Sequence, residues 1–255
     1  MKERTKERNI TRLEGEGVLI VMPTYNEVVN IAPLLEDIHK ILPKVHVLVV
    51  DDASPDGTGE VVDKLASKDS RIFTLHRSDK LGLGTAYIQG FKWALEREYN
   101  YICEMDADFS HQPKYLTALL EAVGEADLVL GSRYVKQGGV ENWTPFRKLL
   151  SKGGSIYART ILGVSIMDLT GGFKVFRRRV LEEVDLNSVR SNGYAFQIEM
   201  TYRSIVQGFR VKEVPIRFVD RLGGSSKMSW KVFLEGVAMV WWLKLSVRPD
   251  TASRE

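Results

Sequence analysis

Short β-branched runs alternate regularly with helical stretches along the first half of the chain, and this alternation limits the possible folds more than any other feature. Five strand-like runs lie at 18–22, 46–50, 72–75, 101–105 and 127–130. The helical stretches between them lie near 28–42, 57–68, 84–98 and 113–123. Such alternation is typical of βαβ units, so it predicts an α/β fold with a mainly parallel sheet flanked by helices.

The second half of the chain has fewer strand signals. A long basic helical stretch occupies 143–162, a glycine pair follows at 171–172, a helix is expected around 193–207, and a strand is expected over 212–219. No internal repeat, low-complexity tract or Pro/Gly-rich linker separates these segments. We therefore expect one domain over 18–229, preceded by a mobile N-terminal tail at 1–17 and followed by a C-terminal segment at 230–255.

The C-terminal segment contains an apolar helical pattern. In a helical projection, one face carries Trp230, Phe233, Leu234, Val237, Ala238, Trp241 and Leu245, and the opposite face carries Val232, Met239 and Leu243. The apolar run from 232 to 247 has 16 residues, which is fewer than the roughly 20 residues of a membrane-spanning helix. We therefore expect an amphipathic interfacial or partner-facing helix. A helix buried in the core is the alternative.

Charge balance and cysteine content exclude some partners and compartments. The chain has 36 Lys and Arg against 33 Asp and Glu, and its net charge of +3 is too small to indicate a nucleic-acid partner. Because Cys103 is the single cysteine, no internal disulfide can form, and a cytoplasmic location is the default. The tail mixes basic and acidic residues without an apolar core, so it matches neither a signal peptide nor a spanning helix.

Two carboxylates follow the fourth strand-like run. Open α/β sheets bind ligands beyond the carboxyl ends of their strands, and Asp106 and Asp108, separated by Ala107, would project there. Two carboxylates one residue apart can bind a hard divalent cation that also holds phosphate oxygens. We expect these side chains to be exposed at the strand end. A turn or a helix cap is the alternative explanation.

Polar residues after the first two strands indicate a nucleotide site at the same edge of the sheet. Asp51 and Asp52 could accept hydrogen bonds from a nucleobase. The segment 54–58 also resembles a turn that opens a helix, which would make one of the aspartates a capping residue instead. Tyr25 and Glu27 could stack on a base and accept from a ribose hydroxyl, or could start the first helix.

Nine segments between residues 18 and 230 match, in order, the motifs of one enzyme family. They are PTYNE (23–27), VVDDASPDGT (49–58), KLGLGTAY (80–87), EMDADFSHQP (104–113), GSRYV (131–135), NWTPFRKLLSKG (142–153), LTGGFKVFRR (169–178), GYAFQIEM (193–200), and EVPIRFVDR with SSKMS (213–229). A single match would indicate little, whereas nine in the same order are specific. The chain therefore resembles glycosyltransferase family 2, and within it the polyprenol-phosphate mannosyltransferases, also called dolichol-phosphate mannose synthases.

The resemblance implies a GT-A fold and the inverting transfer of mannose from GDP-mannose to the phosphate of a membrane-anchored polyprenol, with Mg²⁺ or Mn²⁺ as cofactor. It implies that the guanosine is held by Pro23, Tyr25, Glu27, Val50, Asp51 and Asp52. It implies that the metal and the donor diphosphate are held by Asp106 and Asp108 beside Ala107, and that Arg221 and Lys227 close over the diphosphate. It also implies an acceptor-phosphate site made by Arg133, Arg147 and Ser151.

Of these residues, Asp108, Arg133, Arg147 and Arg221 would take part in the chemical step. The chain departs from some relatives at two positions. It has Ser110 where some relatives have a Gln that serves as a further metal ligand, and it has Ala195 where some have Lys. A third protein ligand for the metal at Ser110 therefore does not follow from the resemblance.

The expected chemistry agrees with the residue types. A phosphate monoester has a second pKa of about 6, so the nucleophile is largely ionised at neutral pH and requires no general base. Two anions must instead be brought together, which requires a metal and preorganised cations. Arg147, Lys148 and Lys152 lie on one helical stretch and could supply this charge, the arginine through its bidentate fork. A solvated basic face is the alternative.

A lipid acceptor would place the enzyme at a membrane. Each Lys or Arg near an anionic leaflet contributes about 1 kcal/mol of attraction, so the basic and apolar helices together predict a peripheral enzyme at the cytoplasmic face, with or without a separate membrane-anchoring subunit. Two other functions remain open. One is a polyprenyl-phosphate glucosyl- or N-acetylglucosaminyltransferase that uses a UDP-sugar, and the other is a non-catalytic nucleotide-sugar-binding subunit. Nucleotidyltransferase chemistry is a more distant alternative.

Overall fold

A seven-stranded sheet forms the centre of the protein. The computed structural model describes residues 13–220 and 230–247, and side chains from 230 to 235 are not part of that description. The strands are β1 (Val18–Thr24), β2 (His46–Asp51), β3 (Ile72–His76), β4 (Tyr101–Glu104), β5 (Leu128–Ser132), β6 (Gly139–Glu141), β7 (Lys174–Arg177), β8 (Val211–Pro215) and β9 (Arg217–Val219). The strand order in the large sheet is β3-β2-β1-β4-β7-β5-β8, and β6 pairs with β9 in a separate two-stranded sheet.

Helices connect the strands. They are α1 (Ile31–Ile41), α2 (Thr58–Ala66), α3 (Leu83–Leu95), α4 (Leu116–Ala122), α5 (Pro145–Leu162), α6 (Arg178–Glu183), α7 (Gly193–Val206) and α8 (Trp230–Ser246), and a short 3₁₀ turn at Pro113–Tyr115 precedes α4. Neighbouring strands are parallel except that β7 runs antiparallel to both β4 and β5. The predicted α/β fold with a mainly parallel sheet is therefore confirmed.

The sheet is buried on both faces. Along β1, Leu19 and Val21 belong to one apolar core, whereas Ile20 and Met22 belong to the other. Consecutive side chains of a strand point to opposite faces, so the unbroken apolar run in β1 is what a strand covered by helices on both sides requires. The carboxyl ends of the parallel strands β1, β2 and β4 consequently lie at one edge of the sheet.

Two features of the sheet differ from the sequence-based expectation. Strand β7 was not predicted, because it has four residues and begins with a lysine, Lys174, that is fully buried. The single strand expected over 212–219 is divided at Ile216. Ile216 donates its N–H to the carbonyl of Ser132 and accepts from the N–H of Gly139, so the chain passes there from the large sheet to the small one.

The boundary expected at residue 17 lies too far along the chain. Residues 13–17 contact the domain directly: the N–H of Lys44 donates to the carbonyl of Glu14, and the N–H of Val18 donates to the carbonyl of Gly15. The Nζ of Lys44 also lies 2.6 Å from Oε2 of Glu14. The rest of the predicted tail, residues 1–12, lies outside the described residues.

Helix α8 confirms the expected C-terminal helix, and part of it packs on the domain. Val240 and Leu243 are buried, whereas Trp241 and Leu245 are exposed. The helix is fixed to α5, because Nζ of Lys244 donates to the carbonyl of Leu162 at 3.1 Å and the hydroxyl of Tyr157 donates to the carbonyl of Val237 at 3.3 Å. One face of α8 thus packs on the domain and the other faces outward. No helix within the described residues combines the length and apolarity needed to cross a bilayer.

Candidate active site

The loops after β1 and β2 are held together by side-chain hydrogen bonds. Asp51 accepts from the hydroxyl of Thr24 at 3.0 Å and from the N–H and hydroxyl of Ser54 at 3.0 and 2.5 Å. The hydroxyl of Thr58 accepts from the N–H of Glu27 at 2.9 Å. Asp51 is buried and its carboxylate holds the turn at Ser54, but it does not cap α2, whose N-cap residue is Gly57 without a side-chain hydrogen bond.

Asp52 makes a buried ion pair. Its Oδ1 accepts from Nη1 of Arg77 at 2.6 Å, and its Oδ2 accepts from the N–H of Gly82 at 3.2 Å. Arg77 also donates through Nη2 to the hydroxyl of Thr85 at 2.7 Å. Asp52 therefore links the carboxyl end of β2 to the loop that precedes α3. Because a carboxylate has about four acceptor positions, these bonds leave capacity for a ligand donor.

Tyr25 lies beside this loop. The Nζ of Lys80 is 3.4 Å from the centroid of the Tyr25 ring, which is a cation–π contact. Tyr25 is half-buried, and the preceding strand end includes Pro23, which is also partly accessible. One face of the predicted base-stacking ring is thus covered by an ammonium group.

The two predicted metal ligands lie in a tight loop after β4. The hydroxyl of Tyr87 donates to Oδ1 of Asp106 at 3.2 Å, and the N–H of Ser110 donates to Oδ1 of Asp108 at 3.0 Å. Phe109 adopts a left-handed backbone with φ of 61°, which turns the loop sharply. Asp106 is 32% exposed at its side chain, but Asp108 is only 8% exposed. The expectation that both ligands would be exposed is therefore wrong for Asp108, because the turn folds its carboxylate back onto the loop.

His111 fixes this acidic loop from below. Its Nδ1 accepts from the N–H of Asp106 at 3.0 Å, and its ring stacks on Phe173 at 4.9 Å. Burial lowers the pKa of His111, with the carboxylates of Asp106 and Asp108 opposing that shift. Since Nδ1 accepts a hydrogen bond from a backbone N–H, the ring is neutral and supports the loop. No residue spacing in the sequence indicates this role.

The donor atoms of the acidic loop suit a hard divalent cation. Carboxylate oxygens are the ligands that Mg²⁺ and Mn²⁺ prefer, and Mg²⁺ is commonly held by one or two carboxylates together with substrate phosphates. Within 13–220 and 230–247, no three His, Cys, Asp or Glu side chains converge as a larger ligand cluster. Asp106 and Asp108 therefore fit a metal that is shared with a diphosphate. The hydroxyl of Ser110 is buried and has no hydrogen-bond partner among the described residues.

Two buried titratable side chains, Glu104 and Lys174, face each other across neighbouring strands next to the same loop. Glu104 ends β4 and faces Lys174 of β7 in the register of the two strands. The Nζ of Lys174 donates to the carbonyl and to Oε1 of Gln197 in α7, at 2.8 and 2.6 Å. Burial raises the pKa of Glu104 to about 7, with Lys174 opposing the shift, and burial lowers the pKa of Lys174 to about 8. Nothing in the local sequence pattern indicates this pair.

Arg133, expected to meet the acceptor phosphate, makes a buried bidentate ion pair. Its Nε and Nη2 donate to the two carboxylate oxygens of Asp168 at 2.7 and 2.6 Å, and Nη2 also donates to the hydroxyl of Thr170 at 2.8 Å. The side chains are 5% and 0% exposed. Burial opposes the charged forms, yet the pair raises the pKa of Arg133 and lowers that of Asp168. The charge of Arg133 is therefore offset within the protein.

The other two predicted acceptor residues lie on α5. The hydroxyl of Ser151 accepts from the hydroxyl of Tyr134 at 2.7 Å. The guanidinium of Arg147 lies 4.3 Å from the ring centroid of Trp143, and its Nη1 donates to Oδ2 of Asp220 at 2.6 Å. The guanidinium of Arg133 lies 5.6 Å from the same ring. Trp143 thus brings the two arginines to one place.

A cavity of about 350 Å³ opens beside Arg147 and Ser151 between α5, α7 and α8. Apart from those two residues, most of its wall is apolar or aromatic and comes from Trp143, Leu150, Gly154, Tyr157, Tyr194, Ala195, Ile198, Gly236, Val237, Met239 and Val240, and four polar residues complete it: Thr170, Arg190, Ser191 and Asn192. Its volume falls in the range of about 300–1,000 Å³ that is typical of ligand pockets. The cavity combines a mostly apolar wall with two arginines, Arg147 and Arg190, and several hydroxyl side chains, which suits an amphipathic ligand. The two residues expected over the donor diphosphate, Arg221 and Lys227, lie outside the described residues.

Comparison with known proteins adds sequence and structural relatives. The model of the family described as glycosyl transferase family 2 matches residues 19–185. A polyprenol monophosphomannose synthase from Mycolicibacterium smegmatis is 52% identical over 216 residues, covering 84% of this chain and 82% of that protein. An undecaprenyl-phosphate mannosyltransferase from Micrococcus luteus is 49% identical over 223 residues, covering 88% of this chain and 92% of that protein.

A solved structure shares the fold. The mannosyltransferase PcManGT from Pyrobaculum calidifontis, in complex with GDP-Man and Mn²⁺, superposes with a TM-score of 0.56 at 17% identity, over 90% of this chain and 70% of that chain. At this identity the likeness bears on the architecture alone. It agrees with the GT-A fold that was expected from the sequence.

Proposed function

The chain belongs to glycosyltransferase family 2, and from this membership we propose that it transfers mannose from GDP-mannose to the phosphate of a polyprenol, giving polyprenyl-phosphate mannose and GDP. The relatives that support this proposal are named for mannosyl transfer to polyprenyl acceptors and match most of the chain. The observation in this chain that carries it is the apolar cavity beside Arg147 and Ser151. A lipid phosphate requires an apolar surface for its chain and polar or cationic groups for its phosphate.

The donor would bind at the carboxyl ends of β1, β2 and β4. The guanosine would lie against Pro23, Tyr25 and Glu27 and against the strand end formed by Val50, Asp51 and Asp52. Asp51 and Asp52 would act chiefly by shaping the loops, because their carboxylates already hold Ser54 and Arg77. Arg221 and Lys227 keep their place over the diphosphate as a proposal from the sequence.

Asp106 and Asp108 would hold Mg²⁺ or Mn²⁺ together with the donor diphosphate. When bound, the metal offsets the negative charge that develops on the departing nucleotide. Tyr87 and His111 fix the acidic loop through Oδ1 and the N–H of Asp106, so the carboxylates are held before the donor arrives. Side-by-side assays with each ion decide which metal the protein uses.

The acceptor phosphate is its own nucleophile. Because its second pKa is about 6, it is largely dianionic at neutral pH, and one of its oxygens can attack the anomeric carbon while the bond to GDP breaks on the opposite side. This inverts the anomeric centre without a protein base. Arg147 and Ser151 would orient the phosphate, and Arg133, whose charge is balanced by Asp168, would fix the wall behind them.

The lipid chain would enter the cavity only in part. A volume of about 350 Å³ accommodates a ligand of ordinary small-molecule size, whereas a polyprenol is far longer. The cavity would therefore bind the isoprene units next to the phosphate and leave the rest outside. Short polyprenyl phosphates should consequently serve as acceptors.

We propose that the protein docks on the cytoplasmic face of a membrane through α5 and α8. The outward faces of these helices expose the apolar side chains of Phe146, Leu149, Trp241 and Leu245, with Lys148 and Lys152 beside them. Two interactions contribute to the affinity of a protein for a membrane surface: apolar side chains insert into the lipid, and lysines bind anionic lipid head groups. Flotation with anionic liposomes tests this proposal. L149E/W241E should stay in the soluble fraction, while V29E, at an exposed apolar residue in the loop before α1, should float like the wild type.

A separate membrane-anchoring subunit is the other way to bring the enzyme to its acceptor. If the purified wild-type chain does not float with liposomes, direct docking is wrong, and recruitment by such a subunit becomes the remaining explanation. For the catalytic domain we propose the C-terminal boundary expected from the sequence, residue 229. At its N-terminal end, contacts with the domain begin at Leu13, which packs on the core.

A donor and acceptor comparison tests the function. The purified chain is incubated with a short polyprenyl phosphate and Mn²⁺ or Mg²⁺, and with GDP-mannose, UDP-glucose or UDP-N-acetylglucosamine as donor. We expect lipid-linked sugar from GDP-mannose alone, and none when the unphosphorylated polyprenol replaces the phosphate. Transfer from a UDP-sugar at an equal or higher rate would assign the other sugar, and binding of GDP-mannose without turnover would indicate a non-catalytic subunit.

A further inference from the structure

The guanidinium of Arg147 is restrained in two directions. Its central carbon lies over the ring of Trp143, 4.3 Å from the ring centroid. Oδ2 of Asp220 accepts from its Nη1 at 2.6 Å. A ring face on one side and a hydrogen-bond acceptor at one nitrogen together limit where the guanidinium can move.

The two restraining residues come from the same small sheet. One residue separates Trp143 from the end of β6, and Asp220 is the residue directly after β9. The N–H of Asp220 donates to the carbonyl of Glu141 at 3.3 Å. The backbone of Arg147 is also fixed, because its N–H donates to the hydroxyl of Thr144 at 3.3 Å at the start of α5. The β6–β9 pair therefore brings together two residues that lie 77 positions apart in the sequence (220 − 143).

We propose that Asp220 and Trp143 are positioning residues for the acceptor phosphate, which they serve by holding Arg147 in the wall of the cavity before the lipid binds. This inference rests on the proposed function, in which Arg147 meets that phosphate. A free arginine side chain loses rotamer entropy when it is immobilised. An arginine that is already fixed does not lose this entropy on binding, and its fork meets the phosphate in one orientation.

The geometry of the ion pair is compatible with a bound anion. The contact with Asp220 engages one nitrogen of the guanidinium, and a guanidinium has five N–H donors. The side chains of Arg147 and Asp220 are each 25% exposed, so solvent screens the repulsion between the Asp220 carboxylate and an incoming phosphate. Asp220 can therefore remain on Arg147 while the phosphate binds the remaining donors.

A double-mutant cycle on the full chain tests the proposal. Initial rates of mannosyl transfer give the KM for a short polyprenyl phosphate and the KM for GDP-mannose in the wild type, D220A, R147A and R147A/D220A. We expect D220A to raise the acceptor KM roughly fivefold, the value of a partly exposed ion pair near 1 kcal/mol, with the donor KM unchanged. In the R147A background, D220A should produce no further rise.

Three further variants separate positioning from a structural role. D220N keeps an oxygen acceptor for Nη1, so it should restore an acceptor KM close to the wild-type value. W143F keeps an aromatic face and loses no described hydrogen bond, because the Trp143 indole N–H has no partner among the described residues; W143L, which lacks the face, should raise the acceptor KM. E141A removes the neighbouring ion pair of the same small sheet, in which Nη1 of Arg217 lies 3.6 Å from Oε1 of Glu141, and should leave the acceptor KM unchanged.

The outcomes distinguish failure of this inference from failure of the proposed function. If R147A leaves the acceptor KM unchanged, the assignment of Arg147 in the proposed function is wrong. If R147A raises the acceptor KM but D220A does not, or if D220A has the same effect in both backgrounds, only the positioning role is wrong. A lower acceptor KM in D220A and D220N would show that Asp220 competes with the phosphate, which also overturns the proposal.

Discussion

The two regions proposed as the donor side and the acceptor side of the site are built over different distances along the chain. On the donor side, the loops after β1 and β2 are joined by hydrogen bonds such as Thr24 to Asp51, 27 residues apart. On the acceptor side, Arg147 and Asp220 are 73 residues apart, and Lys244 and Leu162 are 82 apart. The donor side is formed by neighbouring βα loops. The acceptor side forms only when elements that are far apart in the second half of the chain come together.

The two regions also differ in how they handle charge. The donor side presents carboxylates in the loop after β4, with Asp106 partly exposed. The acceptor side neutralises its most buried arginine, Arg133, with Asp168 and keeps Arg147 at the cavity wall. A metal binds to carboxylates that are held ready, whereas a lipid phosphate needs a cation whose position depends on long-range packing. Loss of a charge on the donor side should therefore lower the rate of transfer. Loss of a charge on the acceptor side should lower the stability of the fold or the affinity for the acceptor.

The largest effect should come from the buried pair of the acceptor side. D168A leaves the guanidinium of Arg133 buried without its carboxylate and should lower the free energy of unfolding by about 3 to 5 kcal/mol. D56A removes an exposed carboxylate of the donor side that accepts from the N–H groups of Thr58 and Val28, and should cost about 1 kcal/mol. Urea unfolding of both variants measures the difference. Equal losses would remove the contrast between the two regions.

The second effect should appear in catalysis alone. D108N keeps the oxygen that accepts from the N–H of Ser110 but removes the negative charge. We expect kcat/KM to fall by roughly 10²- to 10³-fold, as when a group that stabilises developing charge is lost, with the melting temperature close to the wild-type value. Steady-state assays at saturating metal and thermal melts measure the two quantities. A variant with wild-type turnover would show that the acidic loop does not serve the donor.

A third, smaller effect should report on the cavity. Gly154 lines the cavity and Gly153 faces outward, and a Cβ at either position meets no atom within 4 Å. G154L should raise the KM for polyprenyl phosphate by about tenfold, the equivalent of roughly 1.4 kcal/mol, and leave the KM for GDP-mannose unchanged. G153L is the matched control, since both changes remove a helical glycine, which is itself favourable by up to about 1 kcal/mol. The same KM in both variants would place the lipid elsewhere.

The smallest effect concerns acid sensitivity at His46, which begins β2 and therefore lies at the end of that strand opposite to the donor side. Burial, followed by the charge of Arg71, lowers the pKa of His46, with Asp69 opposing the shift. A histidine whose folded-state pKa is depressed stabilises the fold above its unfolded value of about 6.5, and this stabilisation is lost as the pH falls. The melting temperature of H46Q should therefore fall less than that of the wild type when the pH is lowered from 7.5 to 5.5. If the melting temperature falls equally in H46Q and the wild type, His46 does not contribute to acid sensitivity.

The donor side could largely be predicted from the sequence. Strand ends are recognised from apolar runs that stop at polar residues, and the carboxyl ends of parallel strands share one edge of the sheet. Asp106 and Asp108 were located in this way. What the pattern missed was local geometry: Asp108 is folded back by a left-handed turn at Phe109, and Asp51 holds Ser54 rather than standing open.

The acceptor side could be predicted only as a set of residue types. Arg147 and Ser151 followed from the family resemblance, but Asp168 and Asp220, which hold the two arginines, were not singled out. An aspartate that neutralises a distant arginine has the same local sequence signal as one in a turn, because its role is set by tertiary contacts. Strand β7 was missed for a related reason, since its buried Lys174 is satisfied by Gln197 of another element.

The most direct test of the account is mannosyl transfer from labelled GDP-mannose to a short polyprenyl phosphate by the purified chain, with Mn²⁺ and after exhaustive chelation. We expect lipid-linked mannose only when a divalent cation and the phosphorylated lipid are both present, with activity restored by adding metal back. Undiminished transfer after chelation, or equal transfer to the unphosphorylated polyprenol, would contradict the central claim that a metal-held donor is attacked by an ionised lipid phosphate.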